Sequence, residues 1–134
     1  MARRRILMVE DDDALAALYG AALRRAGFEV EIAGDGLTAL EDIDTDRPDL
    51  VVLELAMPQL GGRAILEEAA ATPDTRDIPF IVLTTGDESA EGVSASAVLR
   101  KACWSPATAS VPWSGLSLPN RIRASSSWPQ PMKP

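Results

Sequence analysis

Apolar residues occur in short blocks that alternate between strand-like and helix-like spacing. Residues 6–9, 50–53 and 80–83 are continuous apolar runs, residues 28–32 alternate apolar and polar positions, and residues 98–99 form a shorter run. Continuous runs of this length are typical of buried strands, and strict alternation is typical of a strand nearer an edge. The pattern therefore predicts five strands.

Three amphipathic helices are predicted between these strands. Asp12 or Asp13 can cap the first helix because a short carboxylate accepts the free amides of a first turn, and Gly27 closes it. Alternating strands and helices with short connections favour right-handed crossovers and a parallel sheet covered on both faces. The predicted fold class is α/β, doubly wound. The predicted apolar stripes consist of Leu15, Leu18, Ala22 and Leu23, then Leu37, Leu40 and Ile43, then Ile65, Leu66, Ala69 and Ala70.

The composition changes near Lys101. Residues 1–101 hold all 20 acidic residues and 10 of the 13 basic ones, whereas residues 102–134 hold all three tryptophans and six of the ten prolines. Prolines this frequent leave no window for an uninterrupted three-turn helix. We therefore predict one domain over residues 1–101 and a Ser/Pro/Trp-rich irregular tail over residues 102–134.

Charge and residue usage exclude several classes of function. A net charge of −7 argues against a nucleic-acid partner, and the absence of histidine excludes Ser-His-Asp chemistry and Cys/His metal clusters. Cys103 is the single cysteine, so no internal disulfide can form. No apolar run reaches the ~18 residues of a membrane span, and acidic residues follow the first apolar run too soon for a signal peptide. We expect a cytoplasmic protein with no membrane partner.

Polar residues follow the predicted strands, where the carboxyl ends of parallel strands meet at one edge. Ligands of open α/β sheets bind at this edge. Clustered carboxylates repel each other and need a counter-ion, either a hard cation such as Mg²⁺ or a lysine. Taken singly, each residue has a simpler explanation as a helix cap or a strand end meeting water, but their joint placement favours a shared site. The candidates are Glu10, Asp11, Glu54, Thr84, Thr85 and Lys101.

Several distinct motifs follow one another along the chain: Ile6-Leu7-Met8-Val9-Glu10-Asp11-Asp12, Pro48-Asp49-Leu50-Val51-Val52-Leu53, Met57-Pro58 with Gly62, Ile81-Val82-Leu83-Thr84 and Val98-Leu99-Arg100-Lys101. Together they resemble the receiver domain of two-component response regulators over roughly residues 4–101. The resemblance implies a flavodoxin-like five-stranded parallel sheet of order 2-1-3-4-5 that accepts a phosphoryl group from a histidine kinase or phosphotransfer protein.

The resemblance also implies a role for each candidate residue. Glu10 and Asp11 would be the acidic pair that holds Mg²⁺, together with Glu54 at the phospho-acceptor position and the backbone carbonyl of Ala56. Thr84 and Lys101 would sense and pair with the phosphoryl oxygens. Such transfer needs positioning and charge neutralisation, which a cation and a lysine supply.

The chain departs from the family pattern at several places. The acceptor position is Glu54 instead of Asp, the segment from Thr84 to Lys101 is four or five residues short, and the position of the aromatic switch is Val98. Ala102 replaces the usual proline, and the final helix is missing or irregular. The codons around Cys103 and Trp104, read in another frame, can encode Leu-Leu-Val. A frame shift in the coding sequence is therefore one explanation of the unusual tail.

Two further functions stand beside the leading one, which is a stand-alone, non-enzymatic receiver whose phosphorylation is impaired by Glu54. The first is a pseudo-receiver that acts only through protein interactions. The second is a Mg²⁺-dependent phosphatase using Asp11 and Asp13, which lacks a cap to exclude water. Loss of the last helix would also expose apolar sheet surface and favour self-association.

Overall fold

The described residues form a parallel sheet with helices on both faces. The computed structural model describes residues 4–55, 57, 61–84 and 97–100, with Thr84 and residues 97–100 described by their backbone. Every neighbouring strand pair is parallel, and the order β2-β1-β3-β4-β5 confirms the predicted doubly wound sheet. The elements are β1 Arg5–Val9, α1 Asp13–Arg25, β2 Glu29–Ala33, α2 Gly36–Thr45, β3 Leu50–Glu54, α3 Gly62–Ala71, β4 Phe80–Thr84 and β5 Ala97–Arg100.

Short acidic side chains start the first two helices. Asp12 accepts a hydrogen bond from the Leu15 amide at 3.1 Å, which identifies Asp12 as the cap of α1. Asp35 accepts from the Thr38 amide at 2.8 Å at the start of α2. Gly27 follows α1 with φ of 103°, a backbone conformation that favours glycine, and it turns the chain into β2.

Alternate residues of the strands supply two apolar layers. On one face Ile6, Met8, Val52 and Leu83 belong to a cluster with Tyr19 and Leu23 of α1. On the other face the intervening strand residues form a second cluster with α2 and α3. Covering both faces excludes water from the ladder of the central strands, which explains why their sequences are apolar without interruption.

Two of the predicted helix stripes are wrong in part. Leu18 is 54% exposed and Leu37 is 66% exposed, although both were expected to face the core. Helix α1 instead packs through Ala16, Tyr19 and Leu23. Gly20 lies on the same side of α1, where a Cβ would lie 3.3 Å from the Ile32 side chain of the edge strand. The buried side of α1 therefore includes small residues that the leucine spacing did not predict.

The α1-side surface of the central strands is closed. Leu50, Val52, Ile81 and Leu83 are at most 3% exposed, so β3 and β4 present no open apolar face to a second copy of the chain. The apolar surface expected to be exposed lies beside β1 and β5, and the side chains of β5 lie outside the described residues, so self-association stays an untested prediction. No described helix is long and apolar enough to cross a membrane. The predictions about the short segment after Thr84, the Val98 side chain and the tail lie outside the described residues.

Candidate functional site

Glu10 lies directly beyond the carboxyl end of β1, in the middle of the sheet. Its amide donates a hydrogen bond to the carbonyl oxygen of Ala33 at 3.1 Å, which extends the pairing of β1 with β2 by one residue. The Glu10 side chain is only 1% exposed, whereas Asp11, the next residue, is exposed. The predicted acidic pair thus divides into one buried carboxylate and one at the surface.

Glu54 is the last residue of β3 and lies beside Glu10. Because Val9 is in register with Leu53, the next residues along, Glu10 and Glu54, are adjacent on strands about 4.8 Å apart. Glu54 is in register with Leu83 of β4 on its other side and is also 1% exposed. The structure therefore brings together two of the predicted site residues, both buried.

The start of α3 closes the end of β3 from one side. The Gly62 amide donates to the Leu55 carbonyl oxygen at 3.2 Å, and the Leu55 amide donates to the Leu83 carbonyl oxygen at 3.0 Å. A Cβ on Gly62 would lie 2.5 Å from the carbonyl oxygen of Glu54, so the helix approaches this closely only because residue 62 has no side chain. The sequence analysis used Gly62 as part of a motif and did not predict this contact. The adjacent glycines Gly61 and Gly62 could have indicated a close backbone approach.

Two neighbouring buried carboxylates form a site suited to a small hard cation. A divalent cation supplies positive charge and takes carboxylate oxygens as ligands. Within the described residues the Oε2 atom of each carboxylate accepts no hydrogen bond, although both side chains have other interactions. No three Asp, Glu or Cys residues of the described part are grouped as metal ligands. Mg²⁺ usually takes only one or two carboxylates and keeps waters or phosphate oxygens, so this pair fits it.

The other predicted site residues are only partly described. The backbone of Thr84 ends β4 at the same edge of the sheet, in register with Arg100. Ala56, Thr85 and Lys101 lie outside the described residues. Of the predicted site residues at this edge, the structure thus describes Glu10 and Glu54 fully and Thr84 by its backbone.

Asp35, near the carboxyl end of β2, has a different role from the buried pair. Hydrogen bonds from the amide and the hydroxyl of Thr38 hold the pKa of the Asp35 carboxyl below its ordinary value, because they stabilise the charged form. The side chain is exposed and caps α2. A carboxylate at this edge is therefore not sufficient to form a ligand site. Glu10 and Glu54 differ from Asp35 because each is buried and lies beside a second acidic residue.

Comparison with known proteins agrees with this architecture. A family model of the response regulator receiver domain matches residues 6–101. Response regulator MprA of Mycobacterium ulcerans is 42% identical over 90 residues, which cover 67% of this chain and 38% of that protein. The matched part thus spans well under half the length of this curated relative.

Solved structures show the same fold. Chemotaxis protein CheY4 of Vibrio cholerae has a TM-score of 0.72 and 27% identity, with 80% of this chain and 92% of that chain covered. The receiver domain of sensor histidine kinase PA1611 from Pseudomonas aeruginosa, which has a magnesium ion coordinated in its active site cleft, has a TM-score of 0.72 and 26% identity, with 80% and 91% covered. The chain belongs to the response regulator receiver domain family, whose members receive signals in two-component signal transduction.

Proposed function

We propose that this chain is a phosphorelay receiver that binds a divalent cation but takes up a phosphoryl group poorly, because Glu54 stands at the acceptor position. The observation that carries the proposal is the pair of adjacent, almost fully buried carboxylates at the ends of β1 and β3. A histidine kinase or phosphotransfer protein is the proposed partner, as for other members of the family.

Glu10 and Glu54 would hold Mg²⁺ together with the carbonyl oxygen of Ala56, and Asp11, which is exposed and not grouped with them among the described residues, would turn toward the bound cation. The magnesium ion in the related receiver domain of PA1611 supports this assignment. When bound, the cation would neutralise carboxylate and phosphoryl charge. The protein's own part is to place Glu54 at the end of a rigid central strand, with Thr84 ending the next strand and Lys101 as the proposed partner of the phosphoryl oxygens.

The length of the Glu54 side chain is the reason to expect impaired phosphorylation. A glutamyl phosphate would place the phosphorus one methylene, roughly 1.3 to 1.5 Å, further from the backbone than an aspartyl phosphate. A displacement of about 1 Å can cost on the order of a hundredfold in rate. Glu54 is 1% exposed, so the fold leaves little room for the longer side chain to find another approach.

A pseudo-receiver is the second candidate function, and the burial of Glu54 is the observation that favours it. A carboxylate buried at the end of β3, between β1 and β4, can be retained for its negative charge alone. It would imitate a phosphorylated acceptor only in part, because a phosphoryl group carries about −1.5 to −2 charge and three oxygens. The protein would then act through binding without chemistry.

Incubation with acetyl phosphate and Mg²⁺, followed by intact mass measurement, separates these functions. We expect little or no added phosphoryl mass on the unmodified chain and clear labelling after Glu54→Asp, which restores the shorter acceptor. Glu54→Gln is the matched control of unchanged length and should stay unlabelled. Efficient, stable labelling of the unmodified protein at Glu54 would overturn impaired phosphorylation. Failure of Glu54→Asp to label would favour the pseudo-receiver, and turnover of the donor without labelling would favour a hydrolase.

A further inference from the structure

Gly62 lies very close to backbone atoms of the residues that end β3, and a Cβ there would lie closer to other atoms than a Cβ at Gly20, Gly34 or Gly61 would. A Cβ on Gly62 would lie 2.5 Å from the Glu54 carbonyl oxygen, 2.8 Å from the Leu55 Cα and 3.1 Å from the Leu55 carbonyl oxygen. All three atoms belong to the backbone, so no side chain can rotate away to make room. The adjacent Gly61 differs, since a Cβ there would meet the Met57 carbonyl oxygen at an ordinary 3.5 Å.

The Gly62 contact joins the two ends of the β3–α3 connection. Glu54 ends β3, Gly62 begins α3, and the hydrogen bond of 3.2 Å from the Gly62 amide to the Leu55 carbonyl oxygen ties the ends together. Ala56, whose carbonyl oxygen is the proposed backbone ligand, lies within this short connection. Helix α3 is held in turn by the buried residues Ile65, Leu66 and Ala69. The end of β3 thus rests against a packed helix.

A side chain at residue 62 would separate these elements by a distance that matters for the site. For an ordinary contact, the distance between a Cβ at residue 62 and the Glu54 carbonyl oxygen would have to increase from 2.5 Å to about 3.4 Å. Either α3 would move away from the sheet or the backbone of Glu54 and Leu55 would move away from α3. The tight packing of both apolar layers opposes the first movement, so the strain falls on the residues that carry the proposed ligands.

We propose that Gly62 is a positioning residue of the cation site, which acts by letting the start of α3 set the backbone of Glu54 and Leu55. The inference rests on the proposed function, because it concerns the same cation. Gly62 touches no reacting atom itself. Its lack of a side chain lets the backbone of Glu54 and Leu55 keep the position that places Glu54 beside Glu10.

The test is Mg²⁺ affinity measured by titration calorimetry on the full chain and on Gly62→Ala. Residues that orient metal ligands typically contribute about 10- to 100-fold in affinity, so we expect a loss of at least about tenfold. Gly61→Ala is the matched control one residue away and should bind within twofold of the unmodified chain. Ala69→Gly, which weakens the same helix without altering the contact, should also keep its Mg²⁺ affinity and so separates positioning from a general loss of stability.

Each outcome is decisive. An affinity of folded Gly62→Ala within twofold of the unmodified chain, in a chain that binds Mg²⁺, would overturn this inference and leave the cation site intact. Absence of Mg²⁺ binding by the unmodified chain would overturn the cation site and the inference with it. If Gly62→Ala does not fold, hydrogen exchange of the unmodified chain decides. Saturation with Mg²⁺ should slow exchange of the Gly62 amide more than that of the Ile65 amide, and equal slowing would contradict the proposal.

Discussion

The two ends of β1 and β3 handle charge in opposite ways. At the amino end, the Arg5 guanidinium makes two contacts of 2.7 Å with the Asp46 carboxylate, and the Arg5 amide donates to Asp49 at 2.8 Å. At the carboxyl end, Glu10 and Glu54 place two groups of the same sign side by side, each 1% exposed. The same pair of strands thus joins opposite charges near solvent at one end and like charges in the interior at the other.

This difference separates what stabilises the fold from what the fold is used for. Arg5 is 24% exposed at its side chain and also approaches Glu31 at 3.4 Å, so it links β1 to β2 and to the chain that enters β3. Such a network satisfies each charge locally. Glu10 and Glu54 have interactions of their own, but acidic side chains buried on neighbouring strands depart from the usual surface placement of charge, and such departures occur mainly at functional sites. The carboxyl end is therefore where a ligand is expected, and the amino end is where one is not.

The largest effect that tests this contrast is the response of stability to Mg²⁺. A cation that binds only the folded chain, at about ten times its Kd, raises the free energy of unfolding by about 1.4 kcal/mol. We expect this gain in the unmodified chain and its loss after Glu54→Gln, measured by urea unfolding with and without Mg²⁺. Asp46→Asn removes one acidic charge at the other end and should leave the gain unchanged. If Mg²⁺ changed the free energy of unfolding of Glu54→Gln and Asp46→Asn equally, the carboxyl end would not be the cation site that distinguishes it from the amino end.

A smaller effect is expected at the amino end itself. Arg5→Met keeps the apolar stem but removes the paired contacts with Asp46, and it should lower the free energy of unfolding by about 1 kcal/mol. Arg4→Met removes a longer contact, of 3.7 Å to Asp49, and should cost less. High salt screens exposed charges, so the difference between these variants should shrink in 1 M NaCl. A difference that is insensitive to salt would contradict an electrostatic role for Arg5.

The smallest effect concerns Asp35, the exposed acid near the same edge as the buried pair. Because its folded pKa is lowered, its charged form stabilises the fold above the ordinary carboxyl pKa, and this contribution disappears as pH falls through the folded pKa. Asp35→Asn keeps a capping oxygen but does not titrate. The unmodified chain should therefore exceed Asp35→Asn in thermal stability near neutral pH, and the two melting temperatures should converge below about pH 4. A constant difference across pH would rule out this linkage.

The predicted strands were more reliable than the predicted helix faces. Continuous apolar runs identified the central strands because a parallel strand buried on both faces tolerates no polar position. Helix faces failed at Leu18 and Leu37, since spacing by three and four residues allows several rotations of a helix, and the contact surfaces decide among them. The contact surfaces contain small residues, namely Ala16, Gly20 and Ala39. These residues are too weakly hydrophobic to indicate the buried side of a helix from the sequence.

The sequence by itself determined the order of elements and the edge at which the acids lie, because strand ends follow directly from where apolar runs stop. It could not determine that Asp11 is exposed while Glu10 is buried, since both follow the same strand. Only the tertiary structure decided this, through the register that places Glu10 beside Glu54. The approach of Gly62 to the Glu54 backbone was likewise decided by packing, because a contact between residues eight positions apart depends on how a helix docks on a sheet and not on local preference.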